Sequence, residues 1–317
     1  GGCGFIGSAV VRHLIQETEH EVINVDLMTY AATEGSVMSV ANNERYRHLA
    51  LDIRDPEAID TAFLDHQPEA VMHLAAESHV DRSIEDPDAF VHTNVFGTNV
   101  LCDVARRSDI ERFVHISTDE TYGSIDFGSF QELDRLEPRS PYSAAKAGSD
   151  LIALSYVTTY GLPVVVTRCS NNYGPYQFPE KLIPLFTTNL LDGLKVPLYG
   201  DGGNIRDWIH VEDHNRAVQV VLEKGEIGGV YNIGANNEIT NREIAYRLLD
   251  LCGRDESFIE PVADRLGHDR RYSVDIDRIS ALGWKLTRDF ETGLAETVDW
   301  YKSRRDWWEP LKARTSR

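Results

Sequence analysis

The sequence predicts an α/β protein with a doubly wound parallel sheet and a smaller mixed α/β lobe at its C-terminal side. Short β-branched segments alternate with helical patterns through the first 170 residues, which is typical of a parallel sheet covered on both faces. A glycine-rich turn leads directly into the first helical pattern. Beyond Ser170 the alternation stops, and the 317 residues are enough for two structural units.

The elements of the larger unit follow from periodicity. Apolar residues at Ile6, Val10 and Leu14 have helical spacing and predict a helix over residues 5–16. Another long helix begins at Tyr142, just after Pro141. Short apolar runs predict buried strands at residues 21–26, 46–53, 70–75, 112–117 and 163–168.

The second part of the chain is less regular. Residues 171–179 are rich in turn formers and are predicted to be a loop, followed by a helix at 213–222 and a strand at 229–234. We therefore assign residues 1–170 to the sheet domain, with 207–234 returning to it. Because a glycine turn of this kind normally follows a buried strand, we expect a first strand ahead of Gly1. Residues 171–206 and 235–317 form the predicted second lobe.

Composition excludes several classes of function. The 32 basic and 51 acidic residues give a net charge of −19, which disfavours binding to nucleic acid or to an anionic membrane. No apolar run approaches the roughly 20 residues of a membrane span. The four cysteines form no CxxC pair, so we predict no metal site and no disulfide framework, in agreement with a reducing cytoplasm.

The N-terminal turn has the pattern of a dinucleotide site. Gly1, Gly4 and Gly7 follow a G-x-x-G-x-x-G spacing before a helix, so the backbone can approach a pyrophosphate at the helix N-terminus. Asp26 ends the next strand, where a carboxylate accepts hydrogen bonds from both ribose hydroxyls of NAD and repels the 2′-phosphate of NADP. These features predict a Rossmann-type domain that binds NAD.

A second motif provides candidate catalytic groups. Tyr142 and Lys146 are four residues apart and share one helical face. A nearby ammonium favours the phenolate, so we expect Lys146 to lower the pKa of Tyr142. Ser117 and Thr118 end a predicted strand, at the edge of the sheet where such folds bind ligands.

Taken together, the glycine turn, Asp26, the strand-end hydroxyls and Tyr-x-x-x-Lys resemble the extended short-chain dehydrogenase/reductase family that acts on nucleotide sugars. Asp119 and Glu120 follow Thr118 directly. Such an acidic pair resembles the 4,6-dehydratases, whereas the 4-epimerases of the family generally lack it. Five further segments match that dehydratase pattern in order: HLAAESHVDRSI (73–84), CSNNYGP (169–175), EKLIP (180–184), GDGGNIRDW (200–208) and GHDRRY (267–272).

The resemblance implies two sets of binding residues. The residues expected to line NAD are Gly1, Gly4, Phe5, Ile6, Gly7, Asp26, Thr29, Asp52, Ile53, Leu74, Ala75, Ala76, Thr93, Tyr142, Lys146 and Asn172. The residues expected to face the sugar nucleotide are Ser78, Thr118, Asn171, Lys181, Leu182, Tyr199, Arg206, Asn241, Arg265 and His268. Arg206 has a physical rationale, because a guanidinium grips a diphosphate with two hydrogen bonds, although a salt bridge to Asp207 is the alternative. Asp52 could receive the adenine amino group.

The resemblance also implies a hydro-lyase reaction with an internal redox cycle, in which dTDP-glucose loses water to form dTDP-4-dehydro-6-deoxy-glucose, a precursor of 6-deoxy sugars. Tyr142, with Lys146 and Thr118, would take the C4 hydroxyl proton. Glu120 would take the C5 proton, and Asp119 would protonate the C6 hydroxyl. The family further implies a homodimer packed through helices at 87–107 and 142–160.

Three alternatives remain open at this point. They are a nucleotide-sugar 4-epimerase, a 4,6-dehydratase of another nucleotide sugar such as UDP- or CDP-glucose, and a non-catalytic NAD-sensing protein on the same fold. The acidic pair argues against the epimerase, and the presence of all five candidate catalytic residues argues against the sensor.

Overall fold

The computed structural model describes residues 1–315, so residues 316 and 317 of the predicted second lobe lie outside the described residues. The strands are β1 (Val22–Val25), β2 (Tyr46–Leu49), β3 (Ala70–His73), β4 (Arg112–Thr118), β5 (Val164–Cys169), β6 (Asn171–Tyr173), β7 (Val196–Tyr199), β8 (Ile205–His210), β9 (Val230–Ile233), β10 (Glu238–Thr240) and β11 (Ile259–Val262). The helices are α1 (Phe5–Glu17), α2 (Pro56–His66), α3 (Val80–Glu85), α4 (Pro87–Phe90), α5 (Gly97–Ala105), α6 (Pro141–Tyr160), α7 (Leu182–Leu191), α8 (Val211–Lys224), α9 (Asn241–Leu251), α10 (Asp277–Ala281), α11 (Phe290–Ser303) and α12 (Arg305–Thr315).

The centre of the molecule is a four-stranded parallel sheet in the order β3-β4-β5-β9, and β1 and β2 form a second parallel pair. Strand β5 is buried at every position, as expected for a strand covered on both faces. One face packs against α2, α5 and α6 through a cluster that includes Val100 and Ala153. The other packs against α8 and α10 through Val218 and Ile279. The predicted fold class is confirmed.

The rest of the chain builds a second cluster of strands and helices. Strands β6, β8 and β10 form a three-stranded sheet, and β7 pairs with β11. Helices α7, α9 and α11 enclose a separate apolar core that contains Leu190, Leu248 and Leu294. This core lies next to the carboxyl ends of the parallel strands, because β6 follows β5 after one residue and pairs with β8.

Two details of the secondary structure differ from the predictions. The segment predicted as a loop at 171–179 begins with strand β6, because Asn171–Tyr173 pairs in parallel with Trp208–His210. The strand predicted at 46–53 ends at Leu49. The turn residues that follow β6, from Gly174 onward, are what the composition detected.

The helical region predicted at 87–107 contains an irregular turn. Residues Val91–Phe96 form a π-helical segment between α4 and α5. Within it, the Asn94 side chain accepts a hydrogen bond from the backbone N–H of Glu77 and donates one to its carbonyl, both at 2.9 Å. Turns of this type are frequent at functional sites, and here the turn fixes the loop that follows β3. No helix within residues 1–315 is long and apolar enough to cross a membrane.

Candidate active site

A cavity runs along the carboxyl edge of the parallel strands, and every residue predicted to line NAD lies in its wall. Three predicted catalytic residues outside that set, Thr118, Asp119 and Glu120, also line this cavity. Parallel α/β sheets bind ligands at this edge because the loops after the strands open there. The structure thus brings the predicted cofactor residues together with the predicted reacting groups.

The glycine turn has the geometry that a pyrophosphate requires. A Cβ atom added to Gly7 would lie 2.0 Å from the Gly1 carbonyl oxygen, and one added to Gly1 would lie 2.5 Å from the backbone nitrogen of Ala75. A Cβ on Gly4 would meet nothing closer than 3.5 Å and would project at the helix N-terminus. Gly1 and Gly7 are therefore needed for close backbone packing, whereas the absence of a side chain at Gly4 keeps the anion-binding end of α1 accessible.

Asp26 closes the same turn. One carboxylate oxygen, Oδ2, accepts a hydrogen bond from the backbone N–H of Cys3, and Oδ1 accepts one from Met28, both at 2.8 Å. The carboxylate is 8% exposed and lines the cavity. Two backbone donors hold it in one orientation, and its remaining lone pairs suit a pair of ribose hydroxyls.

Several buried polar atoms around the cavity have no hydrogen-bond partner within residues 1–315. They include Ser117 Oγ, Ser170 Oγ and Asn172 Oδ1. An unpartnered buried polar atom costs about 1–3 kcal/mol, so these atoms favour a ligand that offers hydrogen-bonding groups. Together with the glycine turn and Asp26, they fit NAD.

Asp119 and Glu120 form the first part of a 3-10 turn directly after β4. The pKa of Asp119 is raised well above its usual value, first by burial and then by the carboxylates of Glu120 and Asp207. The pKa of Glu120 is also raised by burial, but Arg206, Lys181 and Arg265 oppose the shift. The neighbouring carboxylates thus favour the protonated form of Asp119, and the three cations favour the ionised form of Glu120, an arrangement that suits an acid and a base side by side.

Thr118 links this turn to the strand. Its hydroxyl donates to Asp119 Oδ1 and accepts from the backbone N–H of Glu120, both at 3.3 Å. The other oxygen, Asp119 Oδ2, is buried without a partner within the described residues. Because Thr118 holds Oδ1, a proton on Oδ2 is free to be donated to a group in the cavity.

Tyr142 and Lys146 lie on α6, which begins with a capping box formed by Ser140 and Ser143. The expected lowering of the tyrosine pKa is wrong for this structure. Burial raises the pKa of Tyr142 well above its usual value, the Glu120 carboxylate adds to the shift, and a hydrogen bond with Thr118 opposes it. Lys146 does not donate a hydrogen bond that would offset this shift, because its Nζ donates to the carbonyl oxygen of Ile116 at 2.8 Å rather than to the phenol.

Sequence reasoning missed a buried group behind Lys146. Asp150, His115 and Arg168 are all buried, and Asp150 Oδ2 accepts a hydrogen bond from Arg168 Nε at 2.9 Å. Asp150 follows Lys146 by four residues and shares its helical face, and this spacing was the available signal.

A second cavity adjoins the first, and it contains most of the residues predicted for the sugar nucleotide. Those in its lining are Asn171, Lys181, Leu182, Tyr199, Arg206, Asn241, Arg265 and His268, whereas Ser78 and Thr118 lie in the first cavity. Both cavities share Glu120, Asn171, Asn172, Gln177, Glu180 and Lys181. The two cavities therefore meet at Glu120, next to Asp119.

Arg206 is held in the second cavity without the predicted alternative partner. Its guanidinium donates to the carbonyl oxygen of Asp269 at 2.9 Å and lies 4.1 Å from the centre of the Tyr272 ring. Asp207 instead accepts hydrogen bonds from the backbone N–H groups of Ala235 and Asn237. Because the Arg206 guanidinium has no carboxylate within salt-bridge distance among residues 1–315, it remains able to bind an anionic ligand.

Two further cationic side chains lie in the second cavity. Lys181 donates to the carbonyl oxygen of Ser78 at 2.8 Å, and Arg265 lies 3.6 Å from Asp81.

Asp52 lies in the first cavity, and both of its carboxylate oxygens accept hydrogen bonds from the guanidinium of Arg54. The acceptor expected for an adenine amino group is therefore already bound by a neighbouring arginine.

The described residues contain no group of three His, Cys, Asp or Glu side chains that could hold a metal ion.

The comparisons agree on the relationship of this chain to known proteins. The family model for GDP-mannose 4,6 dehydratase matches residues 1–297. The chain is 52% identical to a dTDP-glucose 4,6-dehydratase of Streptomyces antibioticus, over 99% of this chain and 94% of that protein. It superimposes with a TM-score of 0.96 on a dTDP-glucose 4,6-dehydratase of Streptomyces venezuelae solved with NAD and dTDP bound, at 51% identity and 98% coverage of both chains.

A UDP-glucose 4-epimerase of Thermus thermophilus, solved with NAD, is more distant. It is 30% identical and has a TM-score of 0.89, with 96% of this chain and 98% of that chain covered.

Proposed function

The chain belongs to the GDP-mannose 4,6 dehydratase family, and we propose that it converts dTDP-glucose into dTDP-4-dehydro-6-deoxy-glucose and water. Relatives about half identical over nearly the whole chain carry this activity in their names. One structural observation supports the chemistry above all others. Glu120 lies where the two cavities meet with Asp119 directly beside it, and nearby carboxylates add to the raised pKa of Asp119, whereas three cations oppose the raised pKa of Glu120.

The cofactor of the reaction is NAD. When bound, NAD⁺ would accept the hydride from C4 of the sugar and give it back to C6 after water has left, and its positive charge would favour the phenolate form of Tyr142. Gly4 and the N-terminus of α1 would hold its pyrophosphate, and Asp26 would hold a ribose. These residues line one continuous cavity with Tyr142.

The catalytic side chains divide the proton transfers of the proposed cycle among them. Tyr142 takes the proton of the C4 hydroxyl, and its hydrogen bond with Thr118 lowers the pKa of the phenol. The C4 ketone acidifies the proton on C5, which Glu120 removes. Asp119 protonates the C6 hydroxyl, so that water leaves, and Glu120 then returns a proton to C5.

The second cavity would hold the nucleotide. Arg206, Lys181 and Arg265 place three cationic groups around it, which suits a diphosphate. All three also lower the pKa of Glu120. The residues that we assign to the diphosphate therefore also keep the base ionised next to the sugar.

We also propose that two chains associate through α6 and the helical region that precedes it. Leu151 and Tyr160 on α6 and Val91 and Phe96 on the neighbouring region are exposed by 61%, 56%, 51% and 46% of their surfaces. Large apolar side chains grouped in this way on adjacent helices are typical of an interface.

We further propose that residues 1–170 and 207–234 form the domain that binds NAD, and that the remainder forms the lobe that binds the nucleotide sugar.

The decisive experiment is incubation with dTDP-glucose and NAD without an added reductant. The proposed function predicts a product lighter by one water and no net formation of NADH. A product of unchanged mass in which glucose has become galactose would identify an epimerase. Faster turnover of UDP- or CDP-glucose would change the substrate but not the reaction, and no turnover of any nucleotide sugar would contradict the proposal.

A further inference from the structure

A cluster of buried charges lies behind the catalytic face of α6. It contains one carboxylate, Asp150, and two cations, Lys146 and Arg168, which are 0%, 5% and 3% exposed. A buried charge is stable only when it is compensated. Because Asp150 takes no part in the reaction proposed above, its burial beside a catalytic lysine requires another explanation.

The contacts of Asp150 fix its position. Arg168 Nε donates to Asp150 Oδ2 at 2.9 Å, and His115 Nε2 lies 3.2 Å from Oδ1. Arg168 is held on its other side by the hydroxyl of Tyr122 at 2.8 Å. Asp150 is therefore held in place by Arg168 of β5, whereas its Oδ1 lies beside His115 of β4 without a hydrogen-bond partner within the described residues.

Lys146 has no carboxylate of its own within salt-bridge distance among the described residues. Its ammonium donates a hydrogen bond to the carbonyl oxygen of Ile116. Because that oxygen is neutral, the contact satisfies one N–H group but does not balance the positive charge. Residues four apart on a helix have Cβ atoms about 5–6 Å apart, so Asp150 is an anion on the same helical face. Burial lowers the pKa of Lys146, and Asp150 is the largest influence in the opposite direction.

The other titratable groups around Lys146 do not replace Asp150. Burial raises the pKa of Cys169 on β5 to about 12, so its thiol is neutral. Burial also lowers the pKa values of His73 on β3 and His115 on β4, and Lys146 lowers both further. Tyr142 on the same helix is a neutral phenol because its pKa is raised. Arg168 on β5 is a cation and is engaged by Asp150.

We infer that Asp150 is a positioning residue of the active site: its carboxylate, held by Arg168, keeps the neighbouring Lys146 protonated. Asp150 itself contacts neither substrate nor cofactor in the proposed reaction. The inference rests on the proposed function only for the role of Lys146. The charge relationship between the two residues holds whatever the substrate, and it can be measured without turnover.

The test is the titration of Lys146 itself. The protein contains seven lysines, and labelling them with ¹³C at Cε allows their titration to be followed by NMR, with the Lys146 signal identified by its loss in Lys146→Arg. In Asp150→Asn we expect Lys146 to titrate about one pH unit lower than in the unchanged protein. Ser149→Ala is the matched control, because Ser149 is buried next to Asp150 and contacts His115 but carries no charge.

An unchanged titration of Lys146 in Asp150→Asn, or an equal shift in Ser149→Ala, would overturn the inference. If Asp150→Asn fails to fold because Arg168 is left unpaired, the double variant Asp150→Asn/Arg168→Gln is compared with Arg168→Gln alone. Only the Asp150 charge differs between these two proteins, and the pKa of Lys146 must be lower in the double variant. The alkaline limb of the rate profile should move in the same direction in the Asp150 variants. Absence of activity in the unchanged protein would contradict the proposed function but not this result.

Discussion

At the scale of single residues, two adjacent carboxyls acquire different properties from their surroundings. The sequence places Asp119 and Glu120 next to each other after a strand, and this could be predicted. It does not show that Asp207 adds to the raised pKa of Asp119, that Lys181 opposes the raised pKa of Glu120, or that Arg206 opposes both. These partners come from β8 and the start of α7, more than 60 residues later. The assignment of acid and base therefore depends on tertiary structure.

The two roles can be separated by isosteric substitutions. We expect Glu120→Gln and Asp119→Asn each to lower the rate of water loss about 10²–10⁴-fold, with little change in the affinity for dTDP. Glu120→Gln should also abolish the exchange of the C5 hydrogen with deuterium from solvent. Asp126→Asn is a control for the loss of an acidic group, since Asp126 is exposed in the same loop. Wild-type elimination rates in both active-site variants would refute the assignment of Glu120 as base and Asp119 as acid.

The buried acid should also reduce stability. Because the folded-state pKa of Asp119 lies above its unfolded value, the folded state is favoured when the group is protonated, and this advantage is lost as pH rises through the folded pKa. Asp119→Asn remains neutral at every pH, so we expect its midpoint of thermal unfolding to exceed that of the unchanged protein at pH 8, by roughly 2–4 °C for each kcal/mol gained. The difference should disappear near pH 3. A lower midpoint at pH 8 would contradict the prediction.

At the scale of elements, local signals predicted the sheet better than the connections. Strands β1 to β5, strand β9 and helix α6 have strong patterns, and the structure confirms them within a few residues. The π-helical segment at Val91–Phe96 has no such signal in its own residues, because its hydrogen bonds through Asn94 are made to Glu77, which lies in the loop after β3. Strand β6 was missed for a similar reason. Its three residues are extended only because β8 pairs with them.

The exposed face of α6 makes a prediction about assembly. We expect Leu151→Glu to prevent the proposed dimer from forming, because the substitution places a charge in the proposed apolar interface. Sedimentation velocity measures the change directly. Leu64→Glu on α2 is the control, since Leu64 is even more exposed but lies outside this face. If both variants sediment like the unchanged protein, the dimer does not form through α6.

At the scale of the whole molecule, the proposed catalytic centre lies where two cavities meet. The sheet supplies the first cavity, and β7, β8, α7 and the segment around His268 supply much of the second. Sequence motifs identified residues of both, because each motif lies in a turn after a strand or at the start of a helix. They could not show that Glu120 and Lys181 line both cavities, since this depends on how the two parts of the chain pack.

Separate cavities predict separate effects on the two ligands. A Cβ at Gly4 would meet no atom closer than 3.5 Å, and Gly4 has φ −75°, which alanine also adopts. We therefore expect Gly4→Ala to fold with an unchanged midpoint of thermal unfolding in the absence of ligands. Its affinity for NAD should fall at least about tenfold, because the added methyl group occupies the approach to the N-terminus of α1. Its affinity for dTDP, measured by calorimetry, should be unchanged, since Gly4 lies outside the second cavity. Loss of both affinities would mean that the cavities are coupled, and unchanged NAD binding would place the pyrophosphate elsewhere.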